Sequence, residues 1–273
     1  MASSNPAFTN SPAFSASAVK AAQLARPTAP PSQDLTAAQL TELYSQPSAT
    51  SADTDRMGYE DTIVKIVISF AILLGGAVIG WIMPVLFLPA MIVGFVLALV
   101  NIFKKKPSPA LILSYAAIEG VFVGGVSSFF ETISPGIAVQ AVLGTFAVVG
   151  VTLALFASGK VRASKKATKV FLIAMVGYLA FSVLNLILMW TGVNNQPFGL
   201  RSAEIFGIPL GLILGILVIL MAAYSLVLDF DNIKTGVERG APRIYGWTAA
   251  FGIMVTVVWL YLEILRLLAI LRN

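Results

Sequence analysis

Histidine and cysteine are both absent from this 273-residue chain, and the two absences remove most side-chain chemistry that operates near neutral pH. Without cysteine there are no disulfides, thiolate nucleophiles or sulfur-ligated metals. Without histidine there are no imidazole bases, Ser-His or Cys-His pairs, HExxH zinc motifs or imidazole pH switches. Charge is scarce as well: 11% of residues are Asp, Glu, Lys or Arg, against 58% hydrophobic. That balance excludes a soluble globular fold. A net charge of +5 would admit a nucleic-acid partner. Most basic residues, however, sit in short stretches between apolar runs, so no nucleic-acid binding is expected. Walker and dinucleotide fingerprints are missing, and no enzymatic activity is expected. Any titration near neutral pH falls to carboxylates.

What is present is a set of seven apolar segments, near 62–83, 85–103, 109–130, 136–157, 169–190, 204–230 and 247–271. Each suffices to cross a hydrocarbon core about 30 Å thick at about 1.5 Å per residue. Backbone amides in lipid must be satisfied within their own segment, so the spans are helices. The expected fold is an all-α integral membrane protein with seven transmembrane helices over 58–273. Residues 1–57, rich in Ala, Ser, Thr, Pro and Gln, read as a disordered cytoplasmic tail. Within it, DLTAAQLTELY (34–44) predicts one short amphipathic helix with Asp34 as N-cap. No secretory signal is expected, because no basic stretch leads into an apolar core.

The basic residues orient the spans. Lys104–Lys106, then Lys160, Arg162, Lys165, Lys166 and Lys169, then Lys234, Arg239 and Arg243 occupy alternate connections. The opposite connections hold only Arg201, and the C-terminal end Arg272. The positive-inside rule predicts a multi-pass protein of the cytoplasmic membrane, N-terminus inside and C-terminus outside. Gly76 and Gly80, Gly120 and Gly124, and Gly207, Gly211 and Gly215 recur every fourth residue, which predicts close-packed helix seams. Pro209 is expected to bend the sixth helix near its start.

Against this background the stretch LVLDFDNI (226–233) stands out, because it ends an apolar run with two carboxylates. Ionisable groups within membranes cost about 2.5–3.5 kcal/mol on insertion scales and face the bundle interior or each other. Asp229 and Asp231 are expected to close the sixth helix at its cytoplasmic end. They lie roughly 200° apart around the helix, so only one can face the core. Asp229 shares its face with Ser225 and Asn232, a candidate polar cluster, while Asp231 is expected to point toward headgroups or the basic connection. Glu119 lies near the centre of the third helix, with Tyr115 one turn back, and Glu131 and Glu204 lie at outer helix ends. Glu263 lies within the seventh helix, on a face with Thr256 and Arg266. Three partners stand open for it: an ion pair with Arg266, or a second carboxylate at Asp229 or Glu119. Two adjacent carboxylates resist joint ionisation, which brings a titration toward neutral pH without histidine. The three buried acids Asp229, Glu263 and Glu119, with Asn185, Asn232 and Ser/Thr hydroxyls, could offer a loose calcium site, but no EF-hand loop is present. A retinal protein is excluded by the lack of lysine in 247–271, and an intramembrane Ser-His protease by the lack of histidine.

At these residues the chain resembles the Bax inhibitor-1 family of transmembrane proteins, in a bacterial, actinobacterial-like form, over roughly 58–272. LDFDNI (228–233) is similar to the family's acidic motif at the end of helix six. LYLEILRLL (260–268) is similar to its last-helix motif, with Glu263 in place of Asp. AAIEGVFVG (116–124) resembles its small-residue third helix, and Lys104–Lys106 lie where bacterial relatives carry a basic cluster tied to the closed state. The resemblance implies two three-helix layers around a central C-terminal helix. It also implies a pH-sensitive calcium leak gated by the carboxylates at Asp229 and Glu263, with calcium as permeant or weakly held ion and no other cofactor. Asn232, Lys104, Arg266 and Asp231 are candidate latch or ion-path residues. The main competing role is a non-conducting regulator that binds a membrane protease, and a proton-coupled transporter ranks third. A monomer in the lipid bilayer is the expected state. One tension is visible: if the sixth helix ends at Asp229, Glu263 lies about 22 Å deeper, which favours Glu119 as its partner.

Overall fold

Residues 54–272, which the computed structural model describes, build seven long helices in the order that the apolar segments set. They are α1 (Tyr59–Ile82), α2 (Phe87–Phe103), α3 (Pro109–Ile133), α4 (Ile137–Ala157), α5 (Lys165–Trp190), α6 (Leu210–Glu238) and α7 (Gly246–Leu271). Each is long and apolar enough to cross a membrane, α2 together with the 3-10 turn Pro84–Leu86 that leads into it. The tail, with the expected helix at 34–44, lies outside the described residues. Local chemistry sets several boundaries. Pro109, which has no amide hydrogen to satisfy, opens α3. The Ser164 hydroxyl accepts from the Ala167 amide (3.2 Å) and caps α5. Glu131 accepts from the Gly136 and Ala138 amides (2.5 and 3.1 Å), placing its charge at the start of α4.

The sixth span departs from its sequence reading at both ends. Residues 204–209 form a small hairpin, with Glu204–Ile205 as β1 and Ile208–Pro209 as β2. Its turn puts Phe206 and Gly207 at φ 55° and 78°. Pro209 is the residue before α6 and does not bend it, because a missing amide costs nothing there. Gly207 belongs to this turn and makes no packing seam. At its other end α6 continues nine residues beyond Asp229, so the two aspartates do not close the helix. Asp229 therefore sits about 13 Å before the helix end at about 1.5 Å per residue.

Helices α1, α2 and α3 form one layer, α4, α5 and α6 a second, and α7 runs between them, touching α1 and α3 on one side and α4 and α6 on the other. Thr248–Met254 are seven consecutive buried residues. A buried run longer than one 3.6-residue turn means every face of α7 is covered there. The glycine seams account for the tightest contact. A methyl group on Gly76 or Gly80 would strike the carbonyl oxygens of Ala117 or Val121, and one on Gly120 or Gly124 those of Leu73 or Ala77. The α1–α3 backbones thus meet through small residues from both sides. Gly211 and Gly215 give α7's Ile270 and Leu267 room against α6.

Both faces of the bundle are tied. On one, the residues leading into α1 pair with the α6–α7 connection: the Met57 amide donates to the Ala241 carbonyl (2.6 Å) and the Arg243 amide to Asp55 (2.9 Å). Lys65, buried in α1, pairs with Asp61 and donates to the Arg243 carbonyl (2.6 Å). Arg243 in turn bonds Asp61 (2.8 Å). On the other face Arg272 reaches the Pro135 carbonyl (3.1 Å) and Gln140 (2.9 Å).

Candidate functional site

The acids in the helices occupy three separate places. Asp229 is fully buried on the α6–α7 seam. Thr256 of α7 donates its hydroxyl to Asp229 Oδ2 at 2.6 Å, and the Ser225 hydroxyl lies 3.4 Å from that of Thr256. Ser225 stands one turn from Asp229 on α6, so the polar face read from the sequence is assembled, with a cross-helix member added. Asn232, on the same face, is half-buried. Asp231, on the other side of the helix, is half-buried too, with Lys234 and Arg162 as neighbouring cations.

Glu263 is buried (3% exposed) and carries the densest network. Tyr178 of α5 donates its hydroxyl to Glu263 Oε1, and Arg266 Nη1 bonds the same oxygen at 2.7 Å. The Tyr178 hydroxyl also accepts from Arg201 Nη2 (2.9 Å) and Arg266 Nη1 (3.2 Å). Arg201 Nη1 stands 3.8 Å from Glu263 Oε2, and neither atom has a hydrogen-bond partner among the described residues. The Arg201 guanidinium lies over the rings of Tyr178 and Phe181 at 5.3 and 5.6 Å. One carboxylate thus lies between two guanidinium groups.

Arg201 reaches this position from a 3-10 turn, Gly199–Ser202, in the α5–α6 connection. The turn is fixed by Asn185, whose Oδ1 accepts the Leu200 amide at 2.6 Å. Gly199 is needed there, since it adopts φ 61° and a side chain would collide with Asn185 and Met189. Asn185, read as a cation ligand, instead anchors this loop.

Glu119 is half-buried on α3 and faces α2. It lines a cavity of about 210 Å³ with Met91, Gly94, Phe95, Tyr115 and Phe122 among its walls. Tyr115 is its polar neighbour on α3. Lys104 is exposed at the end of α2, beside a small recess that includes Asn101 and Thr248.

The structure therefore brings Glu263 to Arg266 and Arg201, and to neither candidate acid. Asp229 binds at the level of Thr256, and Glu263 is two turns farther along α7, about 10 Å at about 1.5 Å per residue. The 22 Å separation expected for a shorter α6 does not apply. Glu119 is turned toward α2, away from Glu263. Asp229 and Glu263 are thus not assembled as a shared calcium site, and among the described residues no three acids form a metal-holding group. Guanidinium groups occupy the place beside Glu263 where a cation would sit. Two members of the network, Tyr178 and Arg201, were not singled out in the sequence. Arg201 did carry a signal, as the lone basic residue of the outer connections.

A family model described as Bax inhibitor 1 like matches residues 5–273. The match covers every helix and reaches into the tail, beyond the 58–272 over which the motifs are visible by eye. No curated protein matches the chain.

Proposed function

The chain belongs to the Bax inhibitor 1 like family of membrane proteins, and on that premise we propose that it is a pH-sensitive cation leak, with calcium as the permeant ion. It resides in the cytoplasmic membrane, with the N-terminus inside and the C-terminus outside. The observation that supports this reading is the full burial of Asp229 on the α6–α7 seam, held by Thr256. An ionisable group at that depth is costly and belongs to a working site more often than to packing.

The gate in this reading is one carboxylate rather than a pair. With its proton, Asp229 is compatible with closely packed α6 and α7. Without it, the seam carries negative charge, which loosens the two helices and is compensated by a cation drawn into the gap. Flux then rises with pH. Glu263 is the fixed part, because its charge is already matched by Arg201 and Arg266. Calcium flux into proteoliposomes, titrated across pH, tests the proposal. Asp229→Asn is expected to abolish the pH dependence, and Thr256→Val to shift it. An Asp229→Asn profile identical to wild type would remove Asp229 from the mechanism.

A second reading is favoured by the Glu263 network: its charge is compensated by Arg201 and Arg266, and among the described residues no three acids gather to hold a metal ion. The chain would then be a non-conducting regulator that binds a membrane protease. Copurification with an ATP-dependent membrane protease, with no flux above empty liposomes, would select it.

A further inference from the structure

Glu119 belongs to neither network above. It faces the cavity between α2 and α3, and among the described residues it makes no ion pair. The room for its carboxylate is specific: a Cβ at Gly94 would lie 3.1 Å from Glu119 Oε2. Glycine at 94 therefore leaves the recess into which the acid extends. The remaining walls are apolar and aromatic, from Met91, Phe95, Tyr115 and Phe122. Phe95 and Met91 are themselves exposed (64% and 43%), so the cavity opens sideways toward lipid rather than along the bundle axis.

The Tyr115 hydroxyl hydrogen-bonds the Glu119 carboxyl, but no cation matches its charge among the described residues, whereas Glu263 has two arginines. On its open side Glu119 meets the pocket instead. We propose that this cavity is a binding site for a small arylalkylamine, entered from the bilayer, with Glu119 as the anionic anchor for the ammonium group. Three features fit that class. A cavity of about 150 Å³ accommodates benzene, so about 210 Å³ holds a phenyl ring and a short alkylamine. The aromatic walls favour a cationic headgroup over a neutral one. An amine also crosses lipid in its uncharged form and takes up its proton at the carboxyl group, which a permanently charged ion cannot do. Lipid acyl chains fit the apolar walls but bring the acid no counter-charge.

The test uses the full chain in nanodiscs and radiolabelled 2-phenylethylamine, with empty nanodiscs as background. Wild type is expected to show saturable binding of one equivalent. Glu119→Gln, which preserves shape, is expected to weaken it at least tenfold. Gly94→Leu, which fills the recess and keeps the acid, is expected to abolish it. The neutral isostere 2-phenylethanol is expected to compete at least tenfold more weakly than unlabelled amine. The proposal fails if wild type binds no more than empty nanodiscs, if Glu119→Gln binds as wild type does, or if the alcohol competes equally. None of these outcomes depends on whether the chain conducts calcium.

Discussion

The Glu263 network makes a graded prediction, because its members differ in how far they are removed from solvent. Side-chain exposure is 3% for Glu263, 6% for Arg201 and 35% for Arg266. Glu263→Gln removes the carboxylate of this network and leaves Arg201 buried without its counter-charge, which costs about 3–5 kcal/mol in a buried pair broken from one side. Arg201→Met leaves Glu263 with Arg266 and Tyr178, so the expected loss is about 1.5–3 kcal/mol, the scale of the charge-assisted hydrogen bond that Arg201 gives the Tyr178 hydroxyl. Arg266→Met removes a third-exposed cation, whose contribution is reduced by solvent and headgroups to about 1 kcal/mol or less. The double substitution Glu263→Gln with Arg201→Met removes both charges of the buried pair. It is expected to be less damaging than the sum of its parts, by more than about 1 kcal/mol of coupling. Reversible unfolding by dodecyl sulfate in lipid bicelles, followed by helical circular dichroism at fixed pH, reads all four. If Arg266→Met costs as much as Glu263→Gln, or the double variant is simply additive, the buried Arg201–Glu263 pair does not organise this part of the bundle.

The glycine seams give a paired test: Gly120→Ala is expected to lose about 1–3 kcal/mol by overpacking against Leu73. Gly177→Ala, with nothing within 4 Å, should gain about 0.5–1 kcal/mol of helix stability. Thermal unfolding of the two variants side by side checks the sign, and equal shifts would contradict the close approach of α1 and α3. For orientation, the natural lack of cysteine makes single introductions unambiguous. A membrane-impermeant maleimide added to intact cells should label Asn195→Cys and spare Lys105→Cys, and the reverse pattern would invert the topology.

The spans were legible because lipid leaves a helix no alternative, and six of the seven bounds fall within four residues of the observed ones. The α1–α3 seam was legible for a related reason: four glycines at fourfold spacing on two helices admit few other uses. The ends of α6 were not. Two carboxylates after an apolar run resemble a membrane boundary, whereas Asp229 is satisfied laterally by Thr256, a residue 27 positions away. Pro209 and Gly207 looked helical by spacing, but the hairpin before α6 takes them. The site was half legible. Glu263, Asp229 and Arg266 were visible as charges in apolar helices. Arg201 was counted as a loop charge, because sequence does not show a loop turning its side chain inward, and Tyr178 is one aromatic among many.

The bond between Lys65 and the Arg243 carbonyl spans 178 residues of sequence, and this bears on biogenesis. At about 5–20 residues per second, the ribosome needs roughly 9–36 s after Lys65 to deliver Arg243. Through that interval the ammonium group in α1 has only Asp61, its neighbour one turn away, for company. Helices α1 to α3 can already join through their glycines, while the slot for α7 between the layers stays empty. The last span to leave the ribosome is thus the one that completes the interior, so a nascent chain arrested before Arg243 would present two layers without their central helix, with Lys65 lacking the Arg243 carbonyl and the Trp247 ring.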